Sequence, residues 1–240
     1  MTPGPLTGML AHFLRLFVST ACFSRSGGIT AMCGLIRIDG KAFRWMGIDT
    51  DNTKETVQQT SVVIYATRTI YTFEANGVEL TVVFATPSIL EERDYMMLPF
   101  SYIDYSVRSI DGKKHDVQVY FDITGEITSG DYNKIIDWHV NSLDGYDLLD
   151  MGVQKPEYLS NRDDRISWGR LYVASLHEDA LLSRVGSSAI LRIAFVNNTA
   201  IPENEFNYRA VSDNWPVLTF IYDLGLIGEE VYHIFLSLTL

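Results

Sequence analysis

The side chains that could perform chemistry are scattered along this chain of 240 residues and form no familiar catalytic motif. The sequence holds no GxSxG nucleophile elbow, no phosphate-binding glycine loop and no GxGxxG dinucleotide fingerprint. His177-Glu178 begins like the zinc-binding HExxH motif, but Leu181 stands where the second histidine ligand would be. We therefore assign no catalytic residue, no metal ligand and no cofactor.

Three acidic residues lie close together in the stretch DITGEITSGD, namely Asp122, Glu126 and Asp131. Carboxylate oxygens are the ligands that calcium prefers, so a calcium loop is one interpretation. The spacing matches no defined calcium loop, which favours an acidic loop in contact with water. His115 and His139 fall on predicted strands, where a histidine that is hydrogen-bonded for structural reasons is the expected outcome.

The four tryptophans suggest a different function. Trp45, Trp138, Trp168 and Trp215 could line a flat platform for a sugar, which would make the protein a self-standing carbohydrate-binding or glycosidase-associated module. Trp138, however, falls on an apolar strand face opposite Met151. Core packing is the usual role of tryptophan in such a position.

A hairpin over Arg68 to Phe84 organises the rest of the chain. Two runs rich in β-branched and aromatic residues flank Asn76-Gly77, a dipeptide typical of a two-residue type I′ turn. Counting outward from this turn pairs Phe73 with Leu80 and Tyr71 with Val82, so one face is apolar. Shifting the register by one residue would mix the two faces.

Three further hairpins are predicted at Asp-Gly turns. Asp39-Gly40 joins strands within GLIRIDGKAFRWMG, and Asp144-Gly145 places Trp138 opposite Met151. For Asp111-Gly112-Lys113, a three-residue loop would pair Tyr102–Ser109 with Lys114–Ile123 and set Val107 against Val117.

The remaining patterns complete an all-β prediction. Strands are predicted at residues 166–174, 189–196, 217–222 and 231–240, with a short helix at residues 177–183. Many strands without long alternating helices favour an antiparallel β-sandwich with short helical or irregular connections. We expect one such domain over residues 34–240, apparently truncated at its C-terminal end, after a leader of 33 residues.

The net charge and the N-terminal leader bear on nucleic-acid binding, secretion and membrane contact. A net charge of −11 argues against nucleic-acid binding, which needs clustered Lys and Arg. Residues 9–23 are apolar like the central part of a signal peptide, but no basic segment precedes them and they contain His12 and Arg15. This stretch is too short and too polar to span a membrane, so no membrane contact is expected.

An ordered series of segments closely resembles the N-terminal domain of the fungal and bacterial glutaminase A family. The segments are GLIRIDGKAFRWMG, TRTIYTFEANGVELTVVFATP, YSVRSIDGKKHDVQVYFDITGE, LLDMGVQ with RISWGRLYVA, and SDNWPVLTFIYDLG. The resemblance covers about residues 34–232. Its specificity comes from the series as a whole, because a single Asp-Gly turn identifies nothing.

The resemblance implies a noncatalytic β-sandwich that supports a large helical domain in a secreted enzyme. That enzyme would hydrolyse L-glutamine to L-glutamate and ammonia. We expect Arg37, Asp39, Arg44 and Trp45 of the first hairpin, together with residues 231–240, to contact the helical domain, since Arg and Trp are favoured interface anchors. Without that partner the chain is expected to expose an apolar patch and to self-associate.

Overall fold

Two antiparallel sheets with alternating apolar residues face each other across a common core in the computed structural model. The structure describes residues 32–47, 55–86, 100–159, 161–162, 165–166, 168–177 and 181–239. One sheet has five strands and the other has nine. The protein is therefore an all-β sandwich, as predicted.

The elements of the described chain are β1 (Met32–Ile38), β2 (Lys41–Met46), β3 (Gln58–Ile64), β4 (Arg68–Ala75), β5 (Val78–Ala85), β6 (Phe100–Ser109), β7 (His115–Thr124), β8 (Ile135–Leu143), β9 (Tyr146–Val153), β10 (Asn161–Arg162), β11 (Arg165–Ile166), β12 (Arg170–Leu176), β13 (Leu181–Ser187), α1 (Ser188–Val196), β14 (Arg209–Ala210), β15 (Pro216–Ile227) and β16 (Tyr232–Thr239). The five-stranded sheet has the order β13-β15-β7-β1-β2, and the nine-stranded sheet has the order β14-β8-β9-β12-β16-β6-β5-β4-β3. The short strands β10 and β11 pair only with each other among these. Nearly all of the expected leader lies outside the described residues, but β1 already includes Met32 and Cys33.

The hairpins with two-residue turns have the predicted registers. In β4 and β5, Phe73 pairs with Leu80 and Tyr71 with Val82. In β8 and β9, Trp138 pairs with Met151. Asn76 and Asp144 both adopt the positive φ that a type I′ turn requires at its first central residue. Local turn chemistry and apolar alternation together were sufficient to predict these pairs.

The predicted hairpin between β6 and β7 is wrong. β6 pairs with β5 and β16 in the nine-stranded sheet, whereas β7 pairs with β1 and β15 in the five-stranded sheet. Residues 110–114 therefore cross from one sheet to the other. Val107 and Val117 do both point into the core, but from opposite sheets.

Two other predictions also fail. Residues 189–196, predicted as a strand, belong to helix α1. Its buried residues Leu191, Ala194 and Phe195 recur with helical spacing, and Phe195 packs beside Tyr120 on the outer face of the five-stranded sheet. The short helix predicted at residues 177–183 is also wrong, because Leu181–Ser187 forms strand β13, while residues 178–180 lie outside the described part.

The crossing segment is held by His115, the first residue of β7, which is only 6% exposed. Its Nδ1 lies 2.7 Å from Oδ2 of Asp39 in the β1–β2 turn, and its Nε2 lies 3.0 Å from Oδ1 of Asp111 in the crossing. Asn76 of the β4–β5 turn donates a hydrogen bond to Asp39 as well. We name the side chains of Asp39, Asp111 and His115 the histidine clamp.

Glycine at position 77 is required for the clamp to fit. A Cβ added to Gly77 would lie 2.8 Å from the Asp111 carboxylate and 2.9 Å from Nε2 of His115. Three connections, namely the β1–β2 turn, the β4–β5 turn and the sheet crossing, thus meet around one imidazole ring.

The contacts of His115 determine its charge. Two carboxylates can both accept hydrogen bonds from one imidazole only when both ring nitrogens carry a proton. The hydrogen bonds to Asp39 and Asp111 accordingly raise the pKa of His115, and the hydrogen bond from His115 lowers the pKa of each carboxyl. Lys113, 3.5 Å from Asp111, adds a second positive charge nearby.

We predict that His115→Gln lowers the urea midpoint of unfolding most between about pH 5 and 6. The raised pKa of His115 means that its contribution is complete below the ordinary histidine value of about 6.5 and is lost as the pH rises through the folded-state value. The contributions of Asp39 and Asp111 have the opposite dependence and are lost only at strongly acidic pH. Urea titrations of parent and variant at pH 5.5 and pH 9 measure the difference, with Lys114→Gln at the neighbouring exposed position as control. A difference of the same size at both pH values would refute this role.

Helix α1 is anchored by a buried ion pair. Asp122 of β7 is fully buried, and Nε and Nη2 of Arg192 each lie 2.7 Å from one of its carboxylate oxygens. The hydroxyl of Tyr120 donates a further hydrogen bond of 2.6 Å to Asp122. The carboxylate therefore has partners on both sides in a place that water does not reach.

We predict that Arg192→Met destabilises the protein by about 3–5 kcal/mol, the usual cost of leaving one charge of a buried pair behind. The double variant Arg192→Met with Asp122→Leu should recover a large part of that loss, because it removes the stranded charge. Urea unfolding of both variants and the parent checks this. Equal stability of the single and double variants would show that the buried charge is not the cause.

Candidate interaction face of the nine-stranded sheet

The residues predicted to form a domain interface do not gather on one surface. Arg37 and Trp45 are each only 7% exposed. The Arg37 guanidinium donates hydrogen bonds to the Phe195 carbonyl and the Gln118 side chain, on the side of the five-stranded sheet covered by α1. Trp45 points the other way, into the core, where it packs on Phe73 and Tyr105. Both side chains serve the interior of this domain.

The other predicted interface residues are more accessible. Asp39 belongs to the histidine clamp. The Arg44 backbone pairs with Glu55 and Val57, so that the segment before β3 runs along the edge of β2. The predicted C-terminal strand exists as β16, but it lies inside the nine-stranded sheet between β12 and β6. A contact of Asp39 or Arg44 with another domain stays a prediction.

The acidic loop considered for calcium has other partners. Asp122 is bound to Arg192, Glu126 is 2% exposed and accepts a hydrogen bond of 2.8 Å from Thr124, and Asp131 accepts one from the Asn133 backbone. Within the described residues, no three His, Cys, Asp or Glu side chains converge as metal ligands would.

A serine, an aspartate and a histidine do meet at one edge of the sandwich. Ser183 Oγ donates to Asp147 at 2.8 Å, and Nδ1 of His177 lies 2.8 Å from the other oxygen of Asp147. In a nucleophilic triad the histidine stands between the serine and the carboxylate, so that it can take the serine proton. Here the carboxylate stands in the middle, and the arrangement cannot activate the serine.

The tryptophans do not form a sugar platform together. Trp45 and Trp138 are core residues, 7% and 0% exposed. Trp215 is 38% exposed and packs edge-on against Tyr132, while Trp168 packs beside Tyr158. At most two of the four could therefore meet a ligand.

The outward face of the nine-stranded sheet carries the most distinctive surface. Neighbouring strands place one residue each in a line that crosses the strands, and seven of its eight members are apolar or aromatic. We name these seven the apolar belt: Val63, Ile70, Val83, Phe235, Leu176, Tyr146 and Leu143. Asp104 pairs with both Val83 and Phe235 and completes the line.

The apolar belt continues from strand to strand because the pairing registers place its members next to one another. Ser175 pairs with Leu236, so Leu176 comes opposite Phe235 one position further along β12 and β16. Four members of the belt are at least 46% exposed, namely Phe235, Leu143, Leu176 and Tyr146. The next line on one side consists of the hydroxyl residues Ser61, Thr72, Thr81 and Ser106, so the apolar surface is a narrow stripe.

Asp104 stands alone among the apolar side chains. Its Oδ1 is buried and has no hydrogen-bond partner in the described chain. The nearest histidine is His233, whose Nδ1 lies 3.7 Å from that oxygen, beyond hydrogen-bond length, and 3.1 Å from the Ser106 hydroxyl. Burial raises the pKa of Asp104, an effect that His233 offsets only in part.

A second polar cluster lies further along the same face, where Arg170 is surrounded by acidic groups. Its Nε lies 2.6 Å from Asp150, its Nη1 lies 2.8 Å from Asp137, and its Nη2 lies 2.8 Å from Nδ1 of His139. Partial burial alone would lower the pKa of Arg170, but the two carboxylates raise it. Because these groups bind one another, none of them is poised for proton transfer.

Sequence reasoning missed this face for a clear reason. Each belt residue is the outward residue of its own strand, and the order of the strands decides which outward residues become neighbours. The outward positions of β5 and β16 can flank Asp104 only because β6 does not pair with β7. The sequence did contain one signal for it. Apolar residues such as Phe235 and Leu176 stand at positions where the alternation of a strand predicts polar residues.

Comparison with known proteins identifies the family. The model of a domain of unknown function, DUF5127, matches residues 67–239. The chain belongs to this family. This DUF5127 chain is also 37% identical over 218 residues to Glutaminase A of Aspergillus oryzae, an alignment that covers 87% of the chain and 30% of the relative. A probable glutaminase of Arthroderma benhamiae is 25% identical over 161 residues, covering 64% of the chain and 18% of that protein.

These matches confirm the resemblance to the glutaminase A family. The DUF5127 chain spans about a third of the length of the Aspergillus relative and less of the Arthroderma one. Among solved structures, a putative aldose 1-epimerase of Escherichia coli covers 94% of this chain and 81% of its own, at 10% identity and a TM-score of 0.34. Within the described residues no helix has the length and apolar character needed to cross a membrane.

We predict that Asp104→Asn raises the melting temperature at pH 7 by about 1–3 °C. The raised pKa of Asp104 means that its charge destabilises the fold at any pH where the carboxyl is ionised, and that this cost disappears as the pH falls below the ordinary value of 3.8. Thermal unfolding at pH 7 and pH 3 measures it.

The matched control is Glu79→Gln on the same face. Nε of Arg108 donates to the Glu79 carboxylate at 2.7 Å, so this substitution removes a favourable contact and should not raise the melting temperature. A lower melting temperature for Asp104→Asn at pH 7 would show that the Asp104 carboxylate makes favourable contacts in the folded protein.

Proposed function

We propose that this chain is the noncatalytic β-sandwich domain of a glutaminase A-like hydrolase. In the full-length enzyme, L-glutamine would be hydrolysed to L-glutamate and ammonia by a helical domain, for which the sandwich provides a support surface. The observation that carries the proposal is the alignment with Aspergillus oryzae Glutaminase A, which runs over 218 residues of this chain but only 30% of that protein.

The chemistry of the described side chains supports a noncatalytic role. Amide hydrolysis needs a nucleophile or an activated water, together with a group that takes its proton. Asp122, Asp150 and Asp147 are each engaged by an arginine, a histidine or a serine of this same domain. The Ser183–Asp147–His177 arrangement has its carboxylate in the central position. These contacts stabilise a scaffold and leave no described acid–base pair poised on a reacting group.

Location outside the cell is part of the same proposal. It rests on the secreted character that the glutaminase A resemblance implies. Asn197-Asn198-Thr199 is a glycosylation sequon, and its asparagine lies exposed just after helix α1. That position would accept a glycan without disturbing the core.

We predict that the purified chain releases no ammonia from L-glutamine above the rate without protein. Aspergillus oryzae Glutaminase A serves as the active reference in the same coupled assay. A cooperative thermal transition of the chain establishes that the assayed protein is folded. Turnover by the folded chain at a rate comparable with the reference would overturn the noncatalytic role.

A further inference from the structure

The apolar belt has the length and shape of a single long element. With Asp104 it crosses eight strands, β3 to β6, β16, β12, β9 and β8. Eight strands enclose seven spacings of about 4.8 Å, or about 34 Å in all. An α-helix rises about 1.5 Å per residue, so a helix of about 22 residues would cover the belt from end to end.

The surroundings of the belt favour a rod-shaped partner over a broad one. Over β3 to β6, hydroxyl residues line one side of the belt. The line on the other side reads Ala85, Tyr102, Ser237, Ala174 and Leu148 over β5, β6, β16, β12 and β9. Phe235 and Leu176 therefore stand out beside the smaller Ser237 and Ala174. A helix with a single apolar stripe meets the belt with its charged face directed to water.

The outward face of the five-stranded sheet differs from this one because a helix covers part of it. Helix α1 packs on the five-stranded sheet and buries Cys33, Leu35 and Tyr120 there. On the nine-stranded sheet, Phe235 remains 60% exposed and Leu143 59% exposed. Exposed apolar side chains in one contiguous stripe are typical of an interaction surface.

Asp104 specifies the charge of the partner. Its buried oxygen has no hydrogen-bond donor among the described residues, and covering the belt would remove the water that the rest of its carboxylate still reaches. A lysine or arginine placed near the middle of the docked element would supply the donor and the opposite charge. Face-to-face contact of two copies would add a second carboxylate instead, between two chains that each carry a net charge of −11.

We propose that the apolar belt docks one amphipathic helix, with a basic residue near its midpoint, from the part of the glutaminase A-like polypeptide outside this domain. The inference rests on the proposed function and names the surface that performs it. The longer relatives contain the necessary chain, because the Aspergillus protein extends well beyond its matched segment. In this arrangement the helix lies across the strands and its basic residue binds Asp104.

The test measures binding of this chain to the part of Aspergillus oryzae Glutaminase A outside the matched segment, expressed separately and immobilised. The matched segment of the Aspergillus protein provides the positive control. The test variant is Phe235→Ser combined with Leu176→Ser. The matched control is Phe206→Ser, which changes a side chain of similar exposure, 52%, outside the belt. Melting curves verify that each variant is folded.

We expect the parent and Phe206→Ser to bind alike, and the double variant to bind at least tenfold more weakly, because central aromatic contacts dominate most interfaces. Asp104→Asn should weaken binding several-fold and reduce its dependence on salt concentration, since it removes the ion pair.

The possible failures are distinguishable. If the parent and the double variant bind equally well, the belt is not the docking surface, while the supporting role stands. If the Aspergillus segment binds and this chain does not, the supporting role itself is overturned. If light scattering shows a dimer of this chain that Phe235→Ser dissociates, the belt pairs with a second copy and the helix proposal is wrong.

Discussion

A protonated imidazole held between two carboxylates fixes the point where the chain passes from one sheet to the other. His115 begins β7, Asp111 lies in the crossing and Asp39 lies in the β1–β2 turn, so one ring joins parts of both sheets. The crossing decides which strands become neighbours of β6. With β5 and β16 on either side, Asp104 is surrounded by apolar side chains, and the apolar belt follows from that strand order.

What the sequence could predict was limited by the range over which its signals act. The Asn76-Gly77 and Asp144-Gly145 turns were predicted with the correct register, because a two-residue loop and apolar alternation determine the pairing locally. Asp111-Gly112 carries the same turn signal. However, inward-facing residues such as Val107 and Val117 fit a hairpin and two facing strands equally well. No local sequence pattern distinguishes a hairpin from two strands that lie in facing sheets.

Helix α1 shows a second limit. Its sequence, SAILRIAFV, is apolar almost throughout and reads as a buried strand. Its helical form depends on tertiary contacts, since Phe195 packs on the outside of the five-stranded sheet and Arg192 reaches the buried Asp122. The predicted interface residues Arg37 and Trp45 show a related limit, although their contact with another domain stays a prediction. Residue type suggested exposed anchors, whereas both side chains are used inside the domain.

The position of Gly77 has a practical consequence for engineering this domain. The β4–β5 turn is a short surface connection of the kind usually chosen for inserting a tag or a fluorophore, yet a side chain at position 77 would collide with the ring of His115. The β8–β9 turn looks similar in sequence, but a Cβ on Gly145 would meet no atom within 4 Å. A label at Asp144-Gly145 therefore leaves the histidine clamp intact. It stands between Leu143 and Tyr146 of the apolar belt, and the Gly145 carbonyl accepts a hydrogen bond from the backbone N–H of His177 in the β12–β13 connection between the two sheets, so a fusion at this turn suits studies of folding rather than of binding.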